Sequence, residues 1–93
     1  MMKITTHNNG NVMTLKPEGT LAGQWVSELR TCWQQAVAEI EPRFIRVDLT
    51  GVTHTDTAGS ELLSVMYCHG AEFMVGDVLM KAIVENIAKR QRA

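Results

Sequence analysis

The sequence has no long apolar run. Its longest stretch without a charged side chain, Ile4–Leu15, contains three asparagines and a histidine. A membrane-spanning helix needs about 20 consecutive apolar residues, so no direct insertion into a membrane is expected. The N-terminus has one lysine but no following apolar segment of the kind found in secretory signals. These absences predict a cytoplasmic protein.

Neither sign of charge is in excess, since nine Lys and Arg stand against ten Asp and Glu. The sequence thus lacks both the strongly basic surface typical of nucleic-acid binding and the acidic excess of disordered chains, and no nucleic-acid partner is predicted. Cysteine is scarce as well. Cys32 and Cys68 form no CxxC pair, and the three histidines show no metal-ligand spacing to them. We expect reduced thiols, no metal site and no cofactor.

Proline and glycine are few and do not gather into a linker. The two Pro and seven Gly are scattered at plausible element boundaries, and no internal repeat is present. A length of 93 residues with 45% hydrophobic side chains fits one core. We therefore expect a single domain over residues 1–93.

A hairpin is predicted near the N-terminus. The pair Asn9-Gly10 favours the positive φ angles of a two-residue turn. Strands are predicted on either side of it, over Met2–Thr6 and Asn11–Lys16. Pro17 has no N–H to donate, so the second strand is expected to end there.

Three segments have the three- and four-residue spacing of apolar side chains that predicts amphipathic helices. The first covers Ala22–Glu41 and is ended by Pro42. The second covers Ala58–His69, and the third covers Val78–Arg90 behind an N-cap at Asp77. The apolar stripe consists of Trp25, Leu29, Trp33, Ala36, Val37 and Ile40 in the first helix and of Val78, Leu79, Ala82, Ile83 and Ile87 in the third, and the apolar residues of the second helix are Leu62, Leu63, Val65, Met66 and Tyr67.

Two short runs between the helices predict further strands. Phe44–Leu49 is rich in β-branched and aromatic residues and is expected to be central, and Phe73–Val75 follows as the next strand. The polar segment Thr50–Thr55 is expected to be a loop. Alternating strands and helices pair in parallel through right-handed crossovers, whereas the opening hairpin is antiparallel. The predicted fold is α/β, a single-layer mixed sheet of about four strands with three helices packed on it.

Thr57, at the start of the second predicted helix, permits two compatible interpretations. Its hydroxyl is an N-cap that accepts a hydrogen bond from a backbone N–H. In the second interpretation, the hydroxyl lies at the positive end of the helix dipole, where a phosphate is accommodated. The two are compatible because Asp56 could take the capping role and leave the Thr57 hydroxyl free. Ligands of α/β sheets bind at the carboxyl ends of strands, so we expect functional residues within Thr50–Ser60.

The run from Phe44 to Val52, FIRVDLTGV, followed by Asp56–Gly59, resembles the signature of STAS domains. This is the anti-sigma factor antagonist fold, which also occurs in the tails of sulfate transporters. In the family, a hydrophobic strand leads into Asp-Leu, a small-residue loop with Val, and Asp-Ser/Thr-x-Gly at the start of a helix. Gly19–Leu21 falls where the family has a Gly-x-Leu-Asp entry to its first helix. The resemblance covers about residues 11 to 90.

The resemblance implies a non-enzymatic bacterial switch that acts in signal transduction and transcription regulation through protein–protein interaction. The family's phosphoacceptor follows the motif aspartate and matches Thr57. Its partner is an anti-sigma factor or serine/threonine kinase, which phosphorylation releases or exchanges. The partner-binding residues implied are Asp56, Thr57, Ala58, Gly59, Ser60 and Leu63.

Three departures from the family pattern leave the partner's identity open. Ala22 stands where the first helix usually has Asp, and Ser60 follows the motif glycine where Leu is frequent. His54 and Thr55 replace a commonly apolar pair. The loop is therefore more polar than is typical, which makes a partner other than a standard anti-sigma kinase an open alternative.

STAS-like domains with Asp-Thr-x-Gly also serve as constitutive accessory subunits of bacterial ABC-type lipid transport complexes. In that role the same helix docks on the transporter ATPase, and a Thr at position 57 slightly favours this alternative. A scaffold subunit of a sensory complex, phosphorylated on Thr, is a third possibility with the same mechanism. The sequence leaves the oligomeric state open.

An enzyme would need a nucleophile, a base and an anion site. The candidates are His54, Asp56, Cys68 and His69, which form no recognisable constellation, and no Gly-rich phosphate loop with a following Lys is present. A phosphoaspartate receiver site needs acidic residues after the first strand, but the first acid here is Glu18. We therefore expect no catalytic residues and no enzymatic activity.

Overall fold

The predicted alternation of strands and helices is present in the structure, with one strand more than expected. The computed structural model describes residues 3–8, 12–39 and 44–92. In chain order the elements are β1 (Lys3–Asn8), β2 (Val12–Leu21), α1 (Gln24–Glu39), β3 (Phe44–Asp48), β4 (Gly51–Thr55), α2 (Thr57–Cys68), β5 (Glu72–Met74) and α3 (Val78–Arg92). The helices described here are all too short or too polar to cross a membrane. Several predicted features lie outside the described residues, namely Met2, the Asn9-Gly10 turn, Asn11, Ile40, Glu41 and Pro42.

The five strands form one mixed sheet, which confirms the predicted fold class. β1 is antiparallel to β2, whereas β3 and β4 run parallel to β2, and β5 runs parallel to β3. The strand order is β1-β2-β3-β5, with β4 beside β2. Glu18 of β2 pairs with Lys3 of β1 and with Gly51 of β4. Because these partners must lie on opposite sides of β2, β4 continues the line of β3 along one side of β2.

One predicted strand boundary and one predicted loop are wrong. β2 does not end at Pro17 but extends to Leu21, and the segment predicted to be a loop contains β4. The proline is tolerated because β2 changes partners at this point. Leu15 is the last residue of β2 paired with β3, and Glu18 is the first paired with β4. The missing N–H therefore lies where the ladder is already interrupted.

A turn between β3 and β4 is closed by Asp48. Its carboxylate accepts hydrogen bonds from the backbone N–H of Thr50 at 3.0 Å and from the Thr50 hydroxyl at 2.6 Å. Burial raises the pKa of Asp48, but these two hydrogen bonds and the charges of Lys16 and Arg46 outweigh it and hold the pKa below its ordinary value. The Asp-Leu of the motif thus redirects the chain from β3 into β4.

The first two helices match their predicted positions closely, but not all of their predicted core residues. Trp33 of α1 is buried as expected. Val37, also expected to be buried, is 45% exposed. Val26 of the same helix is buried in the hydrophobic core instead. Val65 of α2 is likewise exposed. Both exposed valines lie on the groove between α1 and α2.

The buried face of α3 was predicted only in part, because Ile87 is buried and Ile83 packs against the core as expected, whereas the other three positions are not buried. Val78 is 84% exposed, and Leu79 and Ala82 are also exposed, whereas Met80 is fully buried. Six of the seven residues at positions 78–84 are apolar, so the spacing alone did not define which face packs. The predicted cap is confirmed, because the Asp77 carboxylate accepts a hydrogen bond from the Met80 N–H at 2.7 Å.

One hydrophobic core lies between the sheet and the helices. Its buried members are Leu15, Leu21, Val26, Leu29, Trp33, Ala36, Ile45, Val47, Leu49, Val52, Leu62, Leu63, Met66, Ala71, Met80 and Ile87. Just before α3, Gly76 comes so close to Thr50 that a Cβ on the glycine would lie 3.2 Å from the threonine Cβ. The far end of α3 reaches the start of α2, where Arg90 and Thr57 line one cleft. α3 therefore runs along β4 and antiparallel to α2.

Candidate functional site

Asp56 caps the N-terminus of α2. Its backbone is extended, and its Oδ1 accepts a hydrogen bond from the Gly59 N–H at 2.8 Å. Its carbonyl accepts from the Ser60 N–H at 3.0 Å, which begins the helical pattern. The interpretation in which Asp56 takes the capping role is confirmed. Thr57 is the first helical residue, its side chain is exposed, and its hydroxyl has no hydrogen-bond partner in the part of the chain that the structure describes.

The second carboxylate oxygen of Asp56 holds the start of α1. Asp56 Oδ2 accepts a hydrogen bond from the Gly23 N–H at 3.1 Å, and the Asp56 N–H donates to the Leu21 carbonyl at 3.2 Å. Gly23 has a φ of 58°, which favours glycine at this position. One aspartate therefore links the end of β2 and the beginnings of two helices. Sequence reasoning missed Gly23, because it lies 33 residues from Asp56 and no local pattern connects them.

These hydrogen bonds set the charge state of Asp56. The Gly59 N–H and then the Gly23 N–H hold the pKa of the Asp56 carboxyl below its ordinary value, outweighing the small cost of desolvation, and His54 adds a weaker effect. Asp56 is therefore an anion at neutral pH. It places a negative charge beside the Thr57 hydroxyl.

Gly59 is required by the packing of α2 on the sheet. A Cβ at this position would meet the Thr55 Oγ1 and would lie 2.7 Å from the Leu21 carbonyl oxygen. The first turn of α2 thus lies directly on the ends of β2 and β4. The glycine of the Asp-Thr-Ala-Gly motif acts by allowing this close approach, which places Thr57 at the carboxyl edge of the sheet.

The six predicted partner-binding residues do not form one continuous surface. Thr57 and Ala58 are exposed, and Asp56 and Ser60 are partly exposed. Gly59 is buried against the sheet, and Leu63 has 0% exposure. Leu63 is a core residue in this structure, because it lies on the face of α2 that packs inwards, and this corrects its expected place at a partner surface.

A polar cleft of about 400 Å³ lies between the first turns of α2 and the C-terminal half of α3. It is lined by Thr55, Asp56, Thr57, Ser60, Glu61, Ser64, Ile83, Asn86, Ile87 and Arg90. Sequence reasoning missed the contribution of Asn86 and Arg90. The spacing of the two residues, four apart on one helix, was a usable signal, but the partly wrong prediction of the buried face of α3 obscured it.

A second groove, of about 380 Å³, lies between α1 and α2. Its lining includes Trp33, Val37, Leu62 and Val65, and it is mainly apolar. Thr57 lies on the α3 side of α2 and does not line this groove. The motif threonine therefore belongs to the polar cleft.

The four candidates for enzyme chemistry are not brought together. His54 is on β4 and Asp56 precedes α2, whereas Cys68 and His69 are at the opposite end of α2, about 18 Å away for a helix of 12 residues. The His69 Nδ1 lies 2.8 Å from the Val65 carbonyl. Among the described residues, no three His, Cys, Asp or Glu side chains are placed to hold a metal ion.

The sequence pattern of the STAS domain matches residues 3–70 of the chain. No curated protein matches the chain. Among solved structures, the anti-sigma factor antagonist SpoIIAA in its unphosphorylated form is similar, with a TM-score of 0.66 and 12% identity over 98% of this chain and 99% of that protein.

Two further structures are similar to the chain. The anti-sigma factor antagonist STAS domain from Rhodobacter sphaeroides has a TM-score of 0.59 and 17% identity over 81% of this chain and 86% of that one. Mglu has a TM-score of 0.61 and 16% identity over 78% of this chain but only 19% of its own length. The chain therefore spans about a fifth of Mglu. At these identities the likeness concerns the fold alone.

Proposed function

Because the chain belongs to the STAS domain family, we propose that it is a non-enzymatic interaction module of the anti-sigma factor antagonist type. In this proposal the surface at the start of α2, formed by Asp56, Thr57, Ala58 and Ser60, binds a protein partner in the cytoplasm. Phosphorylation of Thr57 by a serine/threonine kinase weakens that binding. The partner is the kinase itself or an anti-sigma factor.

The exposed, unbonded hydroxyl of Thr57 is the observation that carries the proposal. Asp56 satisfies the first-turn N–H of Gly59, so the Thr57 hydroxyl is not needed as a cap. Thr57 can therefore be modified without loss of the cap. Free N–H groups at the start of α2 and the helix dipole both favour an added phosphate in the free protein, with each favourable charge at a helix end contributing about 0.3–1 kcal/mol.

A bound partner changes this balance. Phosphate adds about 1.5 to 2 negative charges, and a docked surface would remove water from that charge beside the anionic Asp56. If repulsion and lost hydration amount to about 3 kcal/mol, binding weakens roughly a hundredfold. The same modification thus leaves the fold intact and releases the partner.

The proposal is tested with a partner recovered by affinity purification of the chain from its own cells, followed by mass spectrometry of its partners and of the peptide that contains Thr57. Titration calorimetry with that partner then compares wild type, phosphorylated protein, Thr57→Ala and Thr57→Glu. Thr31→Glu is a matched control, because Thr31 is an exposed threonine on α1, away from the start of α2.

We expect the phosphorylated protein and Thr57→Glu to lose affinity roughly a hundredfold while their melting temperatures stay close to that of wild type. Thr57→Ala should bind and resist regulation, and Thr31→Glu should bind like wild type. Equal affinities for wild type, Thr57→Glu and the phosphorylated protein would refute the switch. They would favour the alternative of a constitutive accessory subunit that docks on a transporter ATPase.

A further inference from the structure

We propose that the cleft between α2 and α3 is an internal receptor for the phosphate of Thr57, in which the guanidinium of Arg90 binds the phosphate from the opposite helix. This inference rests on the proposed function, because it concerns the fate of the phosphate once it is attached. It assigns α3 a part in regulation that the motif on α2 does not suggest.

The two helices present complementary groups to the cleft. On α2, Thr57, Ser60 and Ser64 recur at spacings of three and four residues and form a row of hydroxyls along one face. On α3, Asn86 and Arg90 are four residues apart and line the opposite wall. Ile83 and Ile87 also line the cleft on the α3 side. A phosphate on Thr57 thus enters a space of about 400 Å³ that already contains donors on two sides.

The charges around the cleft favour Arg90 as the group that binds the phosphate. Of the described residues that line the cleft, two are acids, Asp56 and Glu61, and one, Arg90, is an arginine. Asp56 is occupied by the N–H groups of Gly23 and Gly59. Among the described side chains, the only ion pair within 4.0 Å joins Arg46 and Glu72, so none of these carboxylates is paired with Arg90. Glu61 is therefore the remaining competitor for its guanidinium.

Phosphate is a better ligand for Arg90 than a single carboxylate. A phosphate dianion carries more charge than Glu61 and offers oxygens that a guanidinium contacts in a bidentate manner. The first-turn N–H groups of α2 provide further donors to the same oxygens. Bound in this way, the phosphate turns toward α3 and links the start of α2 to the end of α3. It also remains beside the surface that the partner must cover.

The test uses a full-length chain with phosphothreonine at position 57, made by joining synthetic segments at Cys32 and Cys68. No kinase is required, so the result does not depend on whether Thr57 is modified in cells. The second pKa of the phosphate, ordinarily about 6, is measured by phosphorus NMR in the unsubstituted sequence and in Arg90→Gln. Lys89→Gln is the matched control, because Lys89 is the neighbouring cation on α3 and does not line the cleft.

We expect a phosphate pKa lower by about one unit than that of a phosphothreonine peptide, because the Arg90 cation and the N–H donors favour the dianion more than the carboxylates of Asp56 and Glu61 disfavour it. Arg90→Gln should abolish at least half of this lowering, and Lys89→Gln should retain most of it. In the unsubstituted sequence, the nitrogen resonance of the Arg90 guanidinium should shift with the same midpoint as the phosphorus signal. This second measurement does not depend on the folding of any variant.

Identical phosphate pKa values in all three proteins, or an Arg90 resonance that does not follow the phosphate, would overturn the receptor. The proposed switch would survive that result, since it depends on partner affinity alone. Conversely, a clear effect of Arg90 on the phosphate together with unchanged partner affinity on phosphorylation would retain the receptor and refute the switch.

Discussion

The carboxylate of Asp56 accepts a hydrogen bond from the backbone N–H of Gly23 at 3.1 Å, across 33 residues of sequence. The same carboxylate caps α2 through Gly59. Because each oxygen serves a different helix, the orientation of Thr57 depends on α1 as well as on α2. The signature aspartate thus connects the two helices, and these hydrogen bonds position the exposed Thr57.

Substitution of Asp56 should separate its two roles. Asparagine keeps an oxygen that accepts from Gly59 but places an NH2 group where Gly23 donates, so Asp56→Asn retains the cap and loses the connection to α1. Asp56→Ala loses both. We expect the melting temperature to fall by roughly 5 °C in Asp56→Asn and by more in Asp56→Ala, as measured by thermal unfolding at pH 7. Equal losses in the two variants would show that the Gly23 hydrogen bond contributes nothing.

The contribution of Asp56 should depend on pH in a defined direction. Its folded pKa is lowered by hydrogen bonds from Gly59 and Gly23, so its carboxylate stabilises the fold above the unfolded pKa of about 3.9. That stability is lost as the pH falls through the folded pKa. The difference in melting temperature between wild type and Asp56→Asn should be constant from about pH 8 to pH 5 and decrease below about pH 4. A difference that grows on acidification would contradict the assignment.

Gly59→Ala adds only one methyl group but should destabilise the protein strongly. The added Cβ would be 2.7 Å from the Leu21 carbonyl oxygen and would also meet Thr55, so α2 must move away from the sheet. We expect a loss of about 1–3 kcal/mol in the free energy of unfolding, measured by urea denaturation. Ser60→Ala, the next residue of the same helix, is the control and should change stability by less than about 0.5 kcal/mol. A neutral Gly59→Ala would show that the close approach is not needed.

The corrected packing of α3 can be tested with two alanine substitutions. Met80 is fully buried, so Met80→Ala should cost about 2–5 kcal/mol in the free energy of unfolding. Val78 is 84% exposed on the same turn, and Val78→Ala should change it by less than about 0.5 kcal/mol. If chemical denaturation showed a larger loss for Val78→Ala than for Met80→Ala, the buried face of α3 predicted from the periodicity would be correct.

Local patterns predicted most of the fold, and the errors have physical causes. The spacing from Trp25 to Ala36 is that of one helical face, and α1 was placed to within about two residues at its start. β4 was missed because Gly51–Thr55 is polar, and its strand geometry comes from pairing with β2 rather than from its own propensity. Pro17 was expected to end a strand because its tolerance depends on a change of partner that no local pattern reveals.

The candidate site was only partly predictable for the same reason. Asp56 and Thr57 are adjacent, and their cap and free hydroxyl follow from local helix chemistry. Gly23 and Arg90 come from distant elements and join the site only through packing. Leu63 was assigned to the partner surface because the family resemblance gives positions along the sequence but not the side of α2 that each position faces.

α3 packs against β4, an edge strand of the sheet. β5 pairs with β3 only from Arg46 to Asp48, so the outer edge of β4 is not paired with any described strand. An unpaired edge is a template for strands of other chains and a starting point for aggregation. Met80 and Ile87 anchor α3 in the core, and the helix also contacts β4. A chain cut before residue 78 would leave the apolar core surface that Met80 and Ile87 cover exposed near this unpaired edge, and both features favour association with other chains.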